Sequence, residues 1–221
     1  MEIRNFRRKY DLELIPASNE TIILGSLVWN PLLGKPRLEH KGMSNHIFNA
    51  IYDAGLIDKN QWSDLMEKIK QTQTVQASFA ERTINIDSDH SLSMEHPQLE
   101  RLQGEFEIQK IRKFSFQDIS ARIMSNLMRL SIDDLLDELK KENWESYDGK
   151  IRRLDMITEL YYGNIQVIIE NKYANELELA LKNSGIAVNQ KSAMGRDVEY
   201  TFKHQEVPFA MRLERVRHFN A

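Results

Sequence analysis

Cysteine is absent from the 221 residues of this chain. That excludes disulfides, thiolate metal sites, thiol nucleophiles and S-acylation together, and it fits a reducing, cytoplasmic location. Long apolar runs are also missing. None approaches the roughly 18 residues of a spanning helix, and MEIRNFRRKYDLELIP carries positive charge without the apolar stretch of a secretion signal. Neither sign of charge dominates: 30 Lys and Arg stand against 33 Asp and Glu, a net of −3. A nucleic-acid binder of this balance needs a local basic face, and none is visible, so nucleic acid is not an expected partner. There is no internal repeat, low-complexity segment or linker, so one domain over 1–221 is the expectation. A hydrophobic content of 41% is enough to build its core.

Motifs of chemistry are missing as well. The histidines His40, His46, His90, His96, His204 and His218 form no HExxH or other ligand spacing. Asp87, Asp89 and His90 lack the frame of a calcium loop and read as turn-making residues. No serine lies in GxSxG, and no glycine-rich loop is shaped to cradle phosphate. No catalytic residue, metal site or cofactor is expected, although an enzyme with a dispersed site leaves no local motif.

What is present is alternation, strongest in the C-terminal third. Val198, Tyr200 and Phe202 share one side of a strand, and Phe209, Met211 and Leu213 one side of the next. LDMITELYY and IQVIIEN flank Gly163-Asn164, which predicts a hairpin turn there, and YANELELALKNSG predicts a helix. Upstream, Tyr10 to Ile15 alternates as a strand and Thr21 to Trp29 reads as a buried strand bent at Gly25-Ser26. NPLLGKPRLEHKG reads as a loop. A helix capped by Ser44 carries Ile47, Ile51 and Ala54, and a second runs from Asn60 to about Lys70. Thr74–Ile86 and Gly104–Phe116 are two amphipathic strand candidates. Gln117 to Trp144 reads as two helices or one kinked one, with Ser131, Asp133 and Asp134 marking the second start. The whole predicts an α+β fold: a twisted, mostly antiparallel sheet with flanking helices.

Residues 1–10 place Ile3, Phe6 and Tyr10 at helical spacing among Arg4, Arg7, Arg8 and Lys9. This is either a solvated terminus docked by three apolar side chains or a basic contact for anionic lipid, worth about 1 kcal/mol per cation near the surface.

DMITELYYGNIQVIIEN and VEYTFKHQEVPFAMRLERV resemble the closing strands of the gasdermin pore-forming domain, in its compact bacterial and fungal kind. GEFEIQKIRKFSFQDI followed by a helix, and a short amphipathic element leading into YDLELIP, fit the same order. The resemblance implies a gasdermin N-domain-like fold and a non-enzymatic function in cell death or antiphage defence. A cytoplasmic monomer, released by a protease or from an inhibitory partner protein, moves to the inner face of the cell membrane. It binds anionic phospholipid, forms a homo-oligomer and inserts two β-hairpins. With about ten residues after Met211, the resemblance implies a chain already cleaved or one restrained by a partner. The lipid-binding residues expected are Arg4, Arg7, Arg8, Lys9, Lys110, Arg112 and Lys113. The inserting hairpins would carry Val75, Ala77, Phe79, Ile84, Phe106, Ile108, Phe114, Met156, Leu160, Ile165, Val167 and Ile169. The alternative from the residues alone is a soluble α+β regulatory or interaction subunit of a larger assembly, without catalysis.

Overall fold

A computed structural model describes residues 8–15, 22–29, 37–38, 45–77, 83–86, 102, 104–202 and 208–219. The fold is α+β with an antiparallel sheet. In chain order the strands are β1 (Glu13–Leu14), β2 (Leu27–Trp29), β3 (Arg37–Leu38), β4 (Thr74–Gln76), β5 (Thr83–Ile86), β6 (Ile111–Ile123), β7 (Asp155–Glu170), β8 (Val188–Met194), β9 (Asp197–Phe202) and β10 (Ala210–Arg215). The principal helices are α1 (Ile47–Asp53), α2 (Lys59–Lys70), α3 (Asn126–Glu142) and α4 (Ala174–Asn183). The chain divides into two compact units. The first comprises 1–20, 76–121 and 161–210, the second 21–75, 122–160 and 211–221. β6 and β7 contribute residues to both.

In the first unit β6 pairs with β5 and β7, β7 with β9, and β9 with β8. Ile165, Val167 and Ile169 of β7, Phe114 and Phe116 of β6, and Val198, Tyr200 and Phe202 of β9 enter one apolar core with Ala174, Leu177, Ala180 and Leu181 of α4. The 3.6-residue stripe of the helix thus meets the period-2 face of the sheet.

Two local features overturn the sequence reading here. Gly163-Asn164 makes no hairpin turn, because β7 runs unbroken for 16 residues. The glycine serves close approach instead: a Cβ there would lie 3.1 Å from the Gln117 carbonyl oxygen and 3.4 Å from both Phe116 and Phe209. Those two rings stack beside it, centroids 3.9 Å apart and planes within 11°. Secondly, Gln117–Ile123 is strand and not helix. Asp118 takes a left-handed φ of 50° and shifts the phase, so Ile119 and Ala121 join Phe114 and Phe116 in the core. The short apolar spacing fitted both periods, and the phase shift disguised the strand. Phe106 and Ile108 lie outside any strand: Phe106 is buried beside a turn closed on the Leu102 carbonyl, and Ile108 opens a 3-10 turn to Lys110.

In the second unit β2 pairs with β3 and with the start of β7, Leu27 opposite Met156 and Val28 opposite Asp155. β3 falls where only a loop was expected. The bend at Gly25 is as read, with φ +82°. A Cβ there would also come within 2.7 Å of the His46 ring, so glycine is required twice over. His46 caps α1, its Nδ1 accepting from the Phe48 N–H at 3.1 Å. Ser44 lies outside the described residues. α2 starts from a full capping box between Asp58 and Gln61. α3 is one helix, capped by Ser125 and continuous through Ser131, whose hydroxyl returns to the Leu127 carbonyl and opens no new helix. Its Ile132, Leu136 and Leu139 are buried, while Leu127 and Leu130 are 79% and 59% exposed.

Candidate functional site

The sheet of the first unit has two unlike faces. Opposite the apolar core face, uncharged polar side chains line up across the strands. Ser115 Oγ of β6 donates to Gln166 Oε1 of β7 at 2.7 Å, and both are buried. Gln166 lies opposite Thr201 of β9, and Thr201 opposite Gln190 of β8. In β5 Asn85 is registered against Ser115. One step along β7, Asn164 Nδ2 donates to Asp118 at 2.8 Å, while its own Oδ1 is buried without a hydrogen-bond partner. Each polar group buried in this row must find a partner merely to break even.

Charge gathers at one end of this face. Arg112 donates to Asp197 at 3.0 Å and to Glu170 at 2.7 Å, and Lys172 reaches Glu170 at 2.8 Å. The Lys172 hydrogen bond and then that of Arg112 hold the Glu170 carboxyl below its usual range. Lys110 bonds Glu176 at 2.6 Å and lies 5.7 Å from the Phe106 ring, and the Glu176 bond raises its basicity.

Of the cations expected to meet lipid, Lys110 and Arg112 are therefore brought close to acids that neutralise them. Lys113 is exposed with no ion-pair partner among the described residues. Arg8 and Lys9 are exposed in a helical turn, Lys9 4.8 Å from the Tyr10 ring. Arg4 and Arg7 lie outside the described residues, as does Phe79.

The expected hairpin residues divide. Phe114, Ile165, Val167 and Ile169 share the apolar face of the first unit, and Ile84 is in β5 opposite Phe116. Met156 and Leu160 are buried in the part of β7 that belongs to the second unit. Val75 is 47% exposed in β4, and Ala77 packs partly against the core. Phe106 and Ile108 do not belong to the group, being off the strand.

The second unit concentrates charge of another kind. Arg129 of α3 makes a two-pronged contact with Glu214 of β10 at 2.8 and 2.5 Å, and Thr158 of β7 donates to the same carboxylate at 3.1 Å. Burial works to raise the Glu214 carboxyl, but the Arg129 and Thr158 hydrogen bonds outweigh it and hold it low. Arg212 meets Glu159 at 3.5 Å, and Arg215 meets Asp155 at 3.2 Å. His46 is a satisfied core histidine: its Nε2 bonds the Leu24 carbonyl at 2.9 Å, and burial lowers it to about 4.

Sequence reading missed both polar constellations. For the row Ser115–Gln166–Thr201 the local signal was partial: KFSFQ alternates polar with apolar, but Ile168 breaks the alternation in IQVIIE. Arg129 and Glu214 lie 85 residues apart, and nothing local announces the pair. Among the described residues there is no group of three acids or histidines placed to hold a metal. No helix there is long and apolar enough to cross a membrane, which leaves crossing by strands open. No protein-family model matches the chain, and no curated protein is significantly similar to it in sequence.

Proposed function

We propose that this chain is a gasdermin-like membrane pore former, which binds anionic membranes, oligomerises and opens the bilayer with β-strands in a cell-death or antiphage response. The observation that carries this reading is the two-faced sheet of the first unit. Transmembrane strands need about 9–11 residues, an apolar side for lipid and a polar side for water. β6 and β7 run for 13 and 16 residues. Phe114, Phe116, Ile165 and Val167 form one face, and Ser115 and Gln166 the other. In a water-soluble form the apolar face is covered by α4; in a barrel, lipid takes the helix's place. Lys113, Arg8 and Lys9 are exposed for the first contact with anionic headgroups, in the cytoplasm at the inner face of the cell membrane.

A second reading, an interaction subunit of a larger assembly, draws on the exposed Leu127 and Leu130 of α3. Dye release from anionic liposomes separates the two, using the chain as it stands and after limited proteolysis. Leakage with rings in negative stain is the expected result. Intact vesicles in both samples, with no protein bound, would overturn the pore reading and favour the subunit.

A further inference from the structure

Independently of the pore reading, and resting on the assembly reading, we infer that the exposed face of α3 is a docking surface for a basic amphipathic helix of a partner protein.

α3 is two-sided. Ile132, Leu136 and Leu139 supply the stripe that the fold buries. On the opposite side Leu127, Leu130, Asp134 and Glu138 fall within about 80° of one another around the helix axis. The two leucines are exposed, so their apolar surface stands outside the core. Three residues apart, they form one apolar spot and not two scattered ones. Asp134 and Glu138 continue the ridge one to two turns further on.

The charge on this ridge is open. Asp134 and Glu138 are exposed and have no ion-pair partner among the described residues, whereas Asp137 beside them is taken by Lys140 at 3.1 Å. Arg129 is committed to Glu214, and Lys141 stands at the far end of the face. Burial, and then the charges of Asp137 and Asp134, raise the Asp133 carboxyl. Negative charge is therefore in excess along this stretch.

The order of apolar spot and acids selects the occupant. An anionic membrane surface or a nucleic-acid backbone is repelled by Asp134 and Glu138. A second copy docked through the same face offers them leucines or further acids, with Lys141 as its one cation. What fits is a helix lying beside the ridge, its apolar side chains on Leu127 and Leu130 and its lysines or arginines one to two turns along, on Asp134 and Glu138. Those cations neutralise acids that the fold leaves open, which gives choice among partners as well as attachment.

The probe is a fluorescent synthetic helix with leucines on one face and lysines one to two turns along it, titrated by anisotropy against the full chain. A second peptide has glutamates in place of the lysines. The lysine peptide is expected to bind saturably, and the glutamate peptide about tenfold more weakly. Leu127→Ala with Leu130→Ala should weaken the lysine peptide about a hundredfold with the circular dichroism unchanged, since both positions are exposed. Asp134→Lys with Glu138→Lys should reverse the preference and make the glutamate peptide the better ligand. Equal binding of both peptides to the wild type would overturn the basic partner while leaving an assembly face of other chemistry. Binding of neither would overturn the docking surface itself. A wild-type dimer in sedimentation that the double alanine variant dissolves would give the face to a second copy instead. Dye release is read separately, so none of these outcomes depends on the pore reading.

Discussion

In the first unit Ser115, Gln166 and Thr201 bury neutral polar groups in a row. In the second, Thr158 lies beneath Glu214 and Arg129, Glu159 meets Arg212, and Asp155 meets Arg215. Both arrangements hold polar atoms wholly or partly out of water, but they differ in what it costs to change their surroundings. Neutral hydrogen bonds are worth about 1 kcal/mol net and exchange readily with water. A partly buried charge deprived of its partner costs more, because its desolvation is left uncompensated. Changing the surroundings of the row in the first unit therefore costs less than breaking a pair in the second.

The largest way to disturb this contrast is acid acting on the second unit. His46 is neutral in the fold, with its affinity for protons lowered to about 4 by burial. Between about pH 6.5 and about 4 the unfolded chain binds a proton that the folded chain does not, so stability falls as pH falls through that window. The drop across that window is roughly 3 kcal/mol. Urea midpoints across the window should show it, and His46→Asn, which keeps a capping acceptor, should flatten it. Next is Arg129→Ala, which leaves Glu214 half-buried and should cost about 2 kcal/mol, discounted from the fully buried case for its solvent contact. Glu214 is held below its usual range in the fold, so the Arg129 contribution is present above the unfolded carboxyl value and is lost as pH falls through the folded one.

The matching change in the first unit should be small in the folded chain. Ser115→Ala combined with Gln166→Leu removes both partners of one buried hydrogen bond and should alter stability by no more than about 1 kcal/mol. On the pore reading, dye release should by contrast fall sharply, because the strand face that would meet water is no longer polar. Unimpaired release by this double variant would break the contrast. The smallest effect on folding is at Lys113: Lys113→Glu should change stability by less than about 0.5 kcal/mol. Cosedimentation with anionic liposomes should nonetheless weaken.

How much of this was legible in the sequence follows from range. The alternation of Val198, Tyr200 and Phe202 survives intact, because period 2 is a local property of the chain. α2 and α4 were readable for the same reason, from patterns between residues close together in the chain. Gly163 misled, because a glycine that admits the Phe116 and Phe209 rings looks the same in sequence as one that turns a hairpin. Asp118 misled likewise: one residue in a left-handed conformation reset the phase of β6 and lent Gln117–Ile123 a helical look. Lys110, Arg112 and Lys113 read as one basic knot, yet two of them are neutralised by acids distant in sequence, Glu176, Glu170 and Asp197. The polar row needed only the pairing of β6, β7 and β9, which a single sequence does not supply.

The absence of cysteine makes the most direct measurement simple. Ser192 and Ala193 are neighbours in β8, the first opposite Glu199 on the polar face and the second opposite Val198 on the apolar face. Each can be changed singly to cysteine and labelled with an environment-sensitive fluorophore before anionic vesicles are added. The label at Ala193 should shift to the blue and be quenched by nitroxides within the lipid. The label at Ser192 should stay wet and be quenched by aqueous iodide. If both labels ignore the vesicles, or both answer to the same quencher, the sheet does not cross the bilayer with these two faces and the account is wrong.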